Sequence, residues 1–351
     1  MADRPRTALV VGGVATAAVA LAARAVRRRR AALAGIPTEL LAPMAWLPLP
    51  VGPAVVRVAR RLPALPTPVR PGVDAERRTV AAVGDTPVDV IVYRPAGRAT
   101  PSGALVWIHG GGLVIGDVEG YHETCSGLAA DLGILVVSVD YRLAPEHPFP
   151  AAVDDCYAAL RWVHETADEL GVDRSRIAVG GDSAGGGLAA SLAQVAHDGG
   201  EVPVCFQLLV YPMLDDRTVL RHDHDGRGVA VWTPSANRYG WTAYLGHPPT
   251  AGPERPYAAA ARRDDLTGLP PAWIGVGERD LFHDEDVDYA RRLREAGVAC
   301  ELHVVPGMYH AAERFRPRVP SMAEFTRRLA EALRAGLAER ATPTADPRAG
   351  G

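Results

Sequence analysis

The chain has 351 residues, of which 48% are hydrophobic and 23% charged, and its formal net charge is −3. This composition is typical of a globular protein, and the length suits one large α/β domain with an accessory region. The balance of charges provides no basic field for a nucleic acid, so nucleic acid is excluded as a partner. The four cysteines are far apart and form no CxxC pair, which argues against a zinc knuckle or a small disulfide scaffold.

The N-terminal segment, residues 1–35, is rich in alanine and arginine and predicts an extension that could anchor the chain to a membrane. Residues 7–23 carry no charge, and arginines follow at 24 and 27–30. A spanning helix needs about 20 apolar residues, so membrane association through residues 7–26 is a marginal prediction. The arginines oppose export and, if the segment spans a membrane, would keep the rest of the chain in the cytoplasm. An alanine-rich surface helix is the alternative.

Seven short β-rich segments follow, each ended by Gly, Pro or Asp, and helical patterns separate most of them. The predicted strands span 88–95, 103–110, 133–142, 176–181, 206–212, 272–280 and 300–307. This alternation predicts the α/β class, with a mostly parallel sheet covered by helices on both faces. Ligands bind outside the carboxyl ends of such strands, so residues just after each strand are candidate site residues.

Two regions interrupt the alternation and together predict a helical cap over the strand ends. The first is the proline-broken, amphipathic segment that starts at residue 36, and we assign 36–75 to the N-terminal part of the cap. The second is an insertion at about 213–246, within a main α/β domain that spans 76–340. The last residues, 341–351, offer little to bury and predict a disordered tail.

Ser183 lies in "GDSAG", a G-x-S-x-G motif between the strand "RIAVGG" and a helical pattern. A sharp strand-to-helix turn pushes the serine hydroxyl out above the sheet, and the neighbouring glycines avoid clashes that β-carbons would create. The motif therefore predicts a nucleophilic serine. The glycines from Gly185 also mimic a dinucleotide fingerprint, but they fall inside the helix and not in the turn, so this alternative is weak.

A second motif, "HGGG" at 109–112, follows the strand "GALVWI", where an α/β hydrolase places an oxyanion-hole loop. The alkoxide formed on ester attack needs preorganised donors, which backbone N–H groups of glycines can supply. We predict that the oxyanion hole uses the N–H groups of Gly110, Gly111 and Ala184.

The order Ser, Asp, His of an α/β-hydrolase triad selects Asp280 and His310, which both follow predicted strands. Asp284, Glu285, Asp286 and Asp288 are rival acids, but they open a helix where acidic residues commonly complement the helix dipole. The nearest rival base is His283.

Together, "HGGG", "YRLAPEHPFPAAVDD" (141–155), "GDSAGG" and the acid and histidine segments resemble the hormone-sensitive-lipase-like esterases, the bacterial family IV of the α/β hydrolases. The resemblance covers roughly residues 75–335. It implies a serine carboxylesterase with the triad above, a helical cap, and no metal or organic cofactor. The chain departs from the family with "DLF" where Asp-Pro-Leu is frequent and "HAA" where His-Gly-Phe is frequent.

Several residues are candidates for the substrate pocket, although core packing explains most of them nearly as well. They are Leu113, Met44, Trp46, Trp241, Tyr244 and Phe282. The "RHDHD" segment at 221–225 has metal-ligand residue types, but its setting favours a solvated loop, so no metal site is predicted.

These features predict a serine carboxylesterase that hydrolyses short- to medium-chain acyl esters of small molecules through an acyl-enzyme. Hydrolysis of amides or formamides by the same triad is a close alternative. A noncatalytic ligand-binding protein on this fold is a third, although such a protein would be expected to have lost a triad residue. The sequence leaves the oligomeric state open, with a homodimer as one candidate.

Overall fold

The computed structural model describes residues 22–46, 51–62, 66–81 and 86–338. Most of the apolar N-terminal run and the tail at 341–351 therefore lie outside the described residues. Within the described ranges, no helix combines the length and the apolar character that a membrane crossing needs.

The centre of the fold is a twisted sheet of eight strands in the order β1-β2-β4-β3-β5-β6-β7-β8. Strand β2 pairs antiparallel with both β1 and β4, and all other neighbours are parallel. The strands are β1 (Val73–Val80), β2 (Val88–Pro95), β3 (Ser102–Ile108), β4 (Leu135–Asp140), β5 (Val172–Asp182), β6 (Phe206–Val210), β7 (Ala272–Gly277) and β8 (Cys300–Val305). The predicted fold class, a mostly parallel sheet, is confirmed.

Strand β1 is the one the sequence patterns missed. Its sequence, VDAERRTV, carries three adjacent charged residues, and most of the strand faces solvent at the sheet edge. The Arg77 guanidinium lies 3.2 Å from the Asp140 carboxylate, which links this edge strand to β4. A charged edge strand lacks the alternating apolar pattern that identifies a strand in sequence.

Helices cover both faces of the sheet, and each face has its own buried cluster. One cluster includes side chains from the fifth, seventh and ninth helices, and the other includes side chains from the fourth and eleventh. The helices are α1 (22–32), α2 (Pro43–Trp46), α3 (Pro53–Ala59), α4 (His122–Leu132), α5 (Ala151–Glu165), α6 (Ala167–Leu170), α7 (Ala184–Gly199), α8 (Pro234–Leu245), α9 (His283–Glu295), α10 (Ala312–Phe315) and α11 (Pro320–Ala338).

The predicted cap insertion at about 213–246 contains a 3₁₀ turn, Asp216–Leu220, and helix α8. The N-terminal segment joins it, because the Arg29 guanidinium donates hydrogen bonds to the carbonyl oxygens of Val229, at 2.7 Å, and of Ala45. Leu33 and Ile36 are buried in the same region. The described part of the predicted extension, residues 22–35, thus contacts the region predicted as the cap.

The same segment also contacts two loops that follow strands at the carboxyl edge of the sheet. The Tyr309 hydroxyl donates to the Leu40 carbonyl at 3.0 Å, and Nε of Arg279 donates to the Gly35 carbonyl at 3.2 Å. Tyr309 and Arg279 immediately precede His310 and Asp280 in the sequence. The N-terminal segment therefore helps to fix the loops that carry two of the predicted site residues.

Candidate active site

Ser183 occupies the sharp turn between β5 and α7, as the sequence motif predicts. Its backbone has φ 56° and ψ −121°, a conformation that L-residues rarely adopt. The turn is held because the Ser183 N–H donates to the Val210 carbonyl at 2.8 Å and the Ser183 carbonyl accepts from the Met213 N–H at 2.9 Å. Strain of this kind is maintained by the surrounding structure and is frequent at catalytic positions.

The glycines after Ser183 allow α7 to lie directly against neighbouring backbone. A β-carbon on Gly185 would lie 2.0 Å from the Ile108 carbonyl oxygen, and one on Gly187 would lie 2.0 Å from the Met213 carbonyl oxygen. Both distances are far below van der Waals contact. The glycine cluster is therefore required by close packing of the helix on β3 and on the loop after β6.

The three predicted triad residues form a continuous hydrogen-bonded chain. Nε2 of His310 lies 2.9 Å from Oγ of Ser183, and Nδ1 of His310 lies 2.8 Å from Oδ2 of Asp280. The other oxygen of Asp280, Oδ1, accepts a hydrogen bond from the Phe282 N–H at 3.0 Å. All three side chains are buried. This is the arrangement in which a serine is activated by a histidine that a carboxylate orients.

The rival acid Asp284 and the rival base His283 pair with other side chains. Nδ1 of His283 lies 2.9 Å from Asp284, and Asp284 also forms ion pairs with Arg221 and Arg227 of the cap insertion. Asp284 therefore connects α9 to the cap.

The charge of Asp280 controls the basicity of the histidine. Burial alone would lower the pKa of His310, but the Coulombic attraction of Asp280 and its hydrogen bond outweigh burial, so the pKa is raised above its ordinary value. A base with a raised pKa accepts the serine proton more readily, and the Asp280 carboxylate stabilises the imidazolium that results.

The loop formed by the HGGG motif differs from the prediction at one residue. The Gly110 N–H donates to Oδ1 of Asp182 at 2.9 Å and also lies 3.0 Å from the Tyr121 hydroxyl oxygen. The Tyr121 hydroxyl in turn donates to Oδ2 of Asp182 at 2.8 Å. Because the Gly110 N–H is already engaged on buried acceptors, it does not fit the predicted role as an oxyanion donor.

The next two amides in this loop remain available to a ligand. None of the described residues accepts a hydrogen bond from the N–H of Gly111 or Gly112. Ala184 is the first residue of α7, so its N–H has no acceptor within the helix. A β-carbon on Gly112 would lie 2.0 Å from the ring of Trp232, which explains why this position needs glycine.

Three aromatic rings surround the histidine. The ring centroids of Tyr211, Phe282 and Trp232 lie 4.8, 5.3 and 6.5 Å from that of His310. Phe282 was predicted as a pocket residue, whereas Tyr211 and Trp232 were not. Tyr211 directly follows β6, so its position at a strand end could have identified it, but no sequence signal marked Trp232.

A small cavity of about 10 Å³ lies beside the nucleophile, along the first turns of α7. Leu113, Trp241 and Tyr244, three of the residues predicted for the substrate pocket, line this cavity. Met44 and Trp46 do not line this cavity and are 39% and 38% exposed. The remaining lining comes from α7, Met213 and the Ala258–Ala260 segment: Ala184, Gly187, Leu188, Ser191, Met213, Ala258, Ala259 and Ala260.

The described ranges of the chain contain no group of three or more His, Cys, Asp or Glu side chains placed to hold a metal ion. In the "RHDHD" segment, Arg221 pairs with Asp284, and Asp223 accepts a hydrogen bond from the Asp225 N–H at 2.9 Å. These contacts are those of a loop that is stabilised by a hydrogen bond within it and by an ion pair to helix α9.

Comparison with known proteins agrees with this geometry. Residues 105–314 match a family model described as the α/β-hydrolase fold. The carboxylesterase NlhH of Mycobacterium tuberculosis is 42% identical over 297 residues, which cover 80% of this chain and 90% of that protein. The ethyl acetate hydrolase of Pseudomonas putida is 37% identical over 236 residues, or 63% of this chain and 70% of that protein.

A solved bacterial heroin esterase superposes with a TM-score of 0.72 at 40% identity, covering 81% of this chain and 89% of that one. Sequence and structure thus relate the chain to carboxylic ester hydrolases over most of its length. The chain belongs to the hormone-sensitive-lipase-like (bacterial family IV) esterases of the α/β-hydrolase superfamily.

Proposed function

We propose that the chain hydrolyses small esters with a short acyl group, using Ser183 as nucleophile, His310 as general base and acid, and Asp280 as the orienting carboxylate. The hydrogen-bonded chain from Ser183 through His310 to Asp280 is the observation that carries the proposal. In the first step, Oγ of Ser183 attacks the ester carbonyl while its proton passes to Nε2 of His310.

The negative charge that develops on the carbonyl oxygen needs donors that are in place before the reaction. We assign this role to the N–H groups of Gly111, Gly112 and Ala184, at the amino end of α7, where the helix dipole also favours an anion. The leaving alcohol takes its proton from Nε2 of His310. Water then attacks the acyl-enzyme by the same route in reverse and releases the acid.

The preference for a short acyl group rests on the size of the cavity beside Ser183. A cavity of about 10 Å³ holds roughly one water-sized group. We therefore narrow the predicted substrates from esters with short or medium acyl chains to esters with short acyl chains. The relative named ethyl acetate hydrolase, by that name, acts on an ester with a two-carbon acyl group, which supports the same preference.

Two measurements test the proposal. Turnover of p-nitrophenyl acetate should exceed that of the butyrate and far exceed that of the octanoate, and p-nitroacetanilide should react far more slowly than the acetate. An organophosphonate should label Ser183, and Ser183→Ala should abolish both labelling and turnover, whereas Ser138→Ala, at a buried serine in β4, should preserve them. An adduct on another serine, or faster turnover of the anilide than the ester, would contradict the proposal.

A further inference from the structure

Arginines without a partner are confined to the N-terminal helices and to the segment just after α10. These arginines are exposed and form neither a hydrogen bond nor an ion pair with any residue that the structure describes, whereas every other described arginine donates at least one hydrogen bond. The unpartnered ones are Arg24, Arg27, Arg28 and Arg30 of α1, Arg57 and Arg61 in and after α3, and Arg318 after α10.

Exposed apolar side chains are concentrated in the same segments. Val58 and Leu62 are 59% and 65% exposed, and Phe315 of α10 is also exposed. Among the described residues, Leu220 is the one large apolar side chain that is exposed elsewhere. Large apolar side chains that are exposed together mark a surface that binds something. The remaining members of this set are Val26, Met44, Trp46 and Val55.

Helix α3 exposes apolar and basic side chains side by side. Val56 and Arg60, four residues apart, face the protein: Val56 is buried, and Nε of Arg60 donates to the Val114 carbonyl at 2.8 Å. Val55 and Val58 lie on the other side of the helix, in solvent, and Arg57 is exposed next to them. One side of α3 therefore packs on the protein, while the other has an apolar stripe with a basic flank.

Contacts between the segments bring these side chains to the carboxyl edge of the sheet. The Arg316 guanidinium, in the segment after α10, donates to the Leu41 carbonyl, and the Arg29 guanidinium joins α1 to α2. Arg60 joins α3 to the loop that follows β3. Glu39 is the one acidic residue of the described ranges 22–46 and 51–62, so this region is strongly basic.

We propose that this basic and apolar surface docks the protein on bilayers that contain anionic lipids. The unpartnered arginines bind lipid phosphates, and the exposed valines, Leu62, Trp46 and Phe315 insert between the headgroups. The protein lies on the bilayer without crossing it, and none of the described helices has the length and apolar character to span a membrane. This inference is independent of the ester hydrolysis proposed above.

The composition of the surface favours a bilayer over other partners. Association with a second copy through the same surface would bring arginines of like charge together, which costs free energy. A soluble polyanion would pair with the arginines but leave the valines and Trp46 in water. An anionic bilayer offers phosphates to the guanidinium groups and, directly beneath them, an apolar layer to the apolar side chains.

Sedimentation with lipid vesicles measures the binding of the full-length protein. We expect binding to an equimolar mixture of phosphatidylcholine and phosphatidylglycerol, weaker binding as the salt concentration rises, and little binding to phosphatidylcholine alone. Insertion has a separate readout, since brominated phosphatidylcholine in the same vesicles should quench part of the tryptophan fluorescence. Trp46→Phe should remove that quenching, because Trp46 is exposed on the proposed surface.

Two double variants of the α3 region separate charge from apolar contact. Arg57→Gln combined with Arg61→Gln should lower the partition coefficient for the mixed vesicles about tenfold or more. Val55→Ser combined with Val58→Ser should lower it severalfold, because less apolar area is transferred from water. Both variants should hydrolyse p-nitrophenyl acetate like the unmodified protein in the absence of vesicles, which shows that they are folded.

The matched control is Arg161→Gln combined with Arg291→Gln, which removes the same charge from α5 and α9. Both arginines are exposed and paired with carboxylates, and this variant should bind the mixed vesicles like the unmodified protein. An equal loss of binding in the control would show that only the overall charge matters and would overturn the inference.

Three further outcomes would also overturn it. The first is absence of binding to the mixed vesicles. The second is binding that survives both variants of the α3 region, which would assign the contact to residues 1–21. The third is a concentration-dependent dimer that these variants dissociate, which would assign the surface to a second copy of the chain.

Discussion

The backbone N–H of Gly110 and the carboxylate of Asp182 are joined by a 2.9 Å hydrogen bond, which ties the glycine loop after β3 to the residue that precedes the nucleophile. Asp182 also accepts from Tyr121 and lies 3.4 Å from a guanidinium nitrogen of Arg314, in the short helix α10 that follows His310. One buried carboxylate therefore connects the three loops that supply the nucleophile, the oxyanion donors and the base.

Asp182→Asn should test this connection. An amide nitrogen cannot accept a hydrogen bond, so one of the contacts to Gly110 and Tyr121 is lost and the oxyanion loop is displaced. We expect kcat to fall about ten- to hundredfold, somewhat less than for loss of an oxyanion donor itself, with a smaller change in KM. The affinity for a trifluoromethyl ketone, which forms an oxyanion, should fall in parallel. Asp198→Asn, at a surface ion pair with Arg263, is the control, and an unchanged kcat in Asp182→Asn would refute the connection.

Asp280→Asn should reduce kcat by about 10⁴-fold without unfolding the protein, because the amide favours the wrong imidazole tautomer. Asp280 raises the pKa of His310, so the variant should also move the acid limb of the pH profile of kcat/KM to lower pH. The matched variant is Asp284→Asn, which weakens partly exposed pairs with Arg221 and Arg227 and should change kcat less than about threefold. Equal losses in the two variants would mean that the acid is misassigned.

Glu313 should give the enzyme a second ionisation near neutral pH. Burial raises the pKa of Glu313 to about 7, and its carboxylate accepts a hydrogen bond from the hydroxyl of Tyr211, whose ring contacts His310. Below about pH 7 this carboxyl is protonated; above it, the negative charge raises the pKa of His310. Glu313→Gln removes that charge, so the acid limb of kcat/KM should shift to lower pH.

Thermal unfolding provides an independent measurement on the same variant. A carboxyl whose folded pKa exceeds its unfolded value stabilises the protein at low pH and loses that contribution as pH rises through the folded pKa. The decrease in Tm between pH 5 and pH 8 should therefore be smaller in Glu313→Gln than in the unmodified enzyme. Superimposable pH profiles and parallel Tm curves would show that Glu313 does not titrate in this range.

Two N-terminal truncations should behave differently. Removal of residues 1–21 should preserve ester turnover and lower any association with membranes, because this variant keeps Arg29, Leu33 and Leu40, which pack with the cap and the loops of the site. Removal of residues 1–46 deletes Arg29, Leu33 and Leu40, exposes apolar surface and releases the loops that hold Tyr309 and Arg279. That variant should lose most activity and solubility. Kinetic measurements of ester turnover and sedimentation of both truncated proteins test this prediction. Full activity in soluble protein lacking residues 1–46 would exclude a role for this segment.

The sequence by itself determined the fold class, the positions along the chain of the seven strands after β1 and the chemistry of the nucleophile. These features depend on local patterns: apolar strands between turn residues, and a serine flanked by glycines between a strand and a helix. Asp280 and His310 could be chosen in advance because the carboxyl ends of parallel strands meet at one edge of the sheet, where both residues were expected. The charged strand β1 was missed because solvent exposure and pairing to β2 define it, and no apolar pattern does.

Tertiary structure decided the features that depend on contacts between distant segments. Only the packing shows that the Gly110 amide is already used by Asp182, because a run of three glycines gives no indication of which N–H is free. Similarly, the sequence marks Trp241 and Met44 alike as apolar residues of a cap, yet one lines the cavity and the other faces solvent. The direction in which a cap residue points depends on how two separate segments fold over the sheet, and that information is not local in the chain.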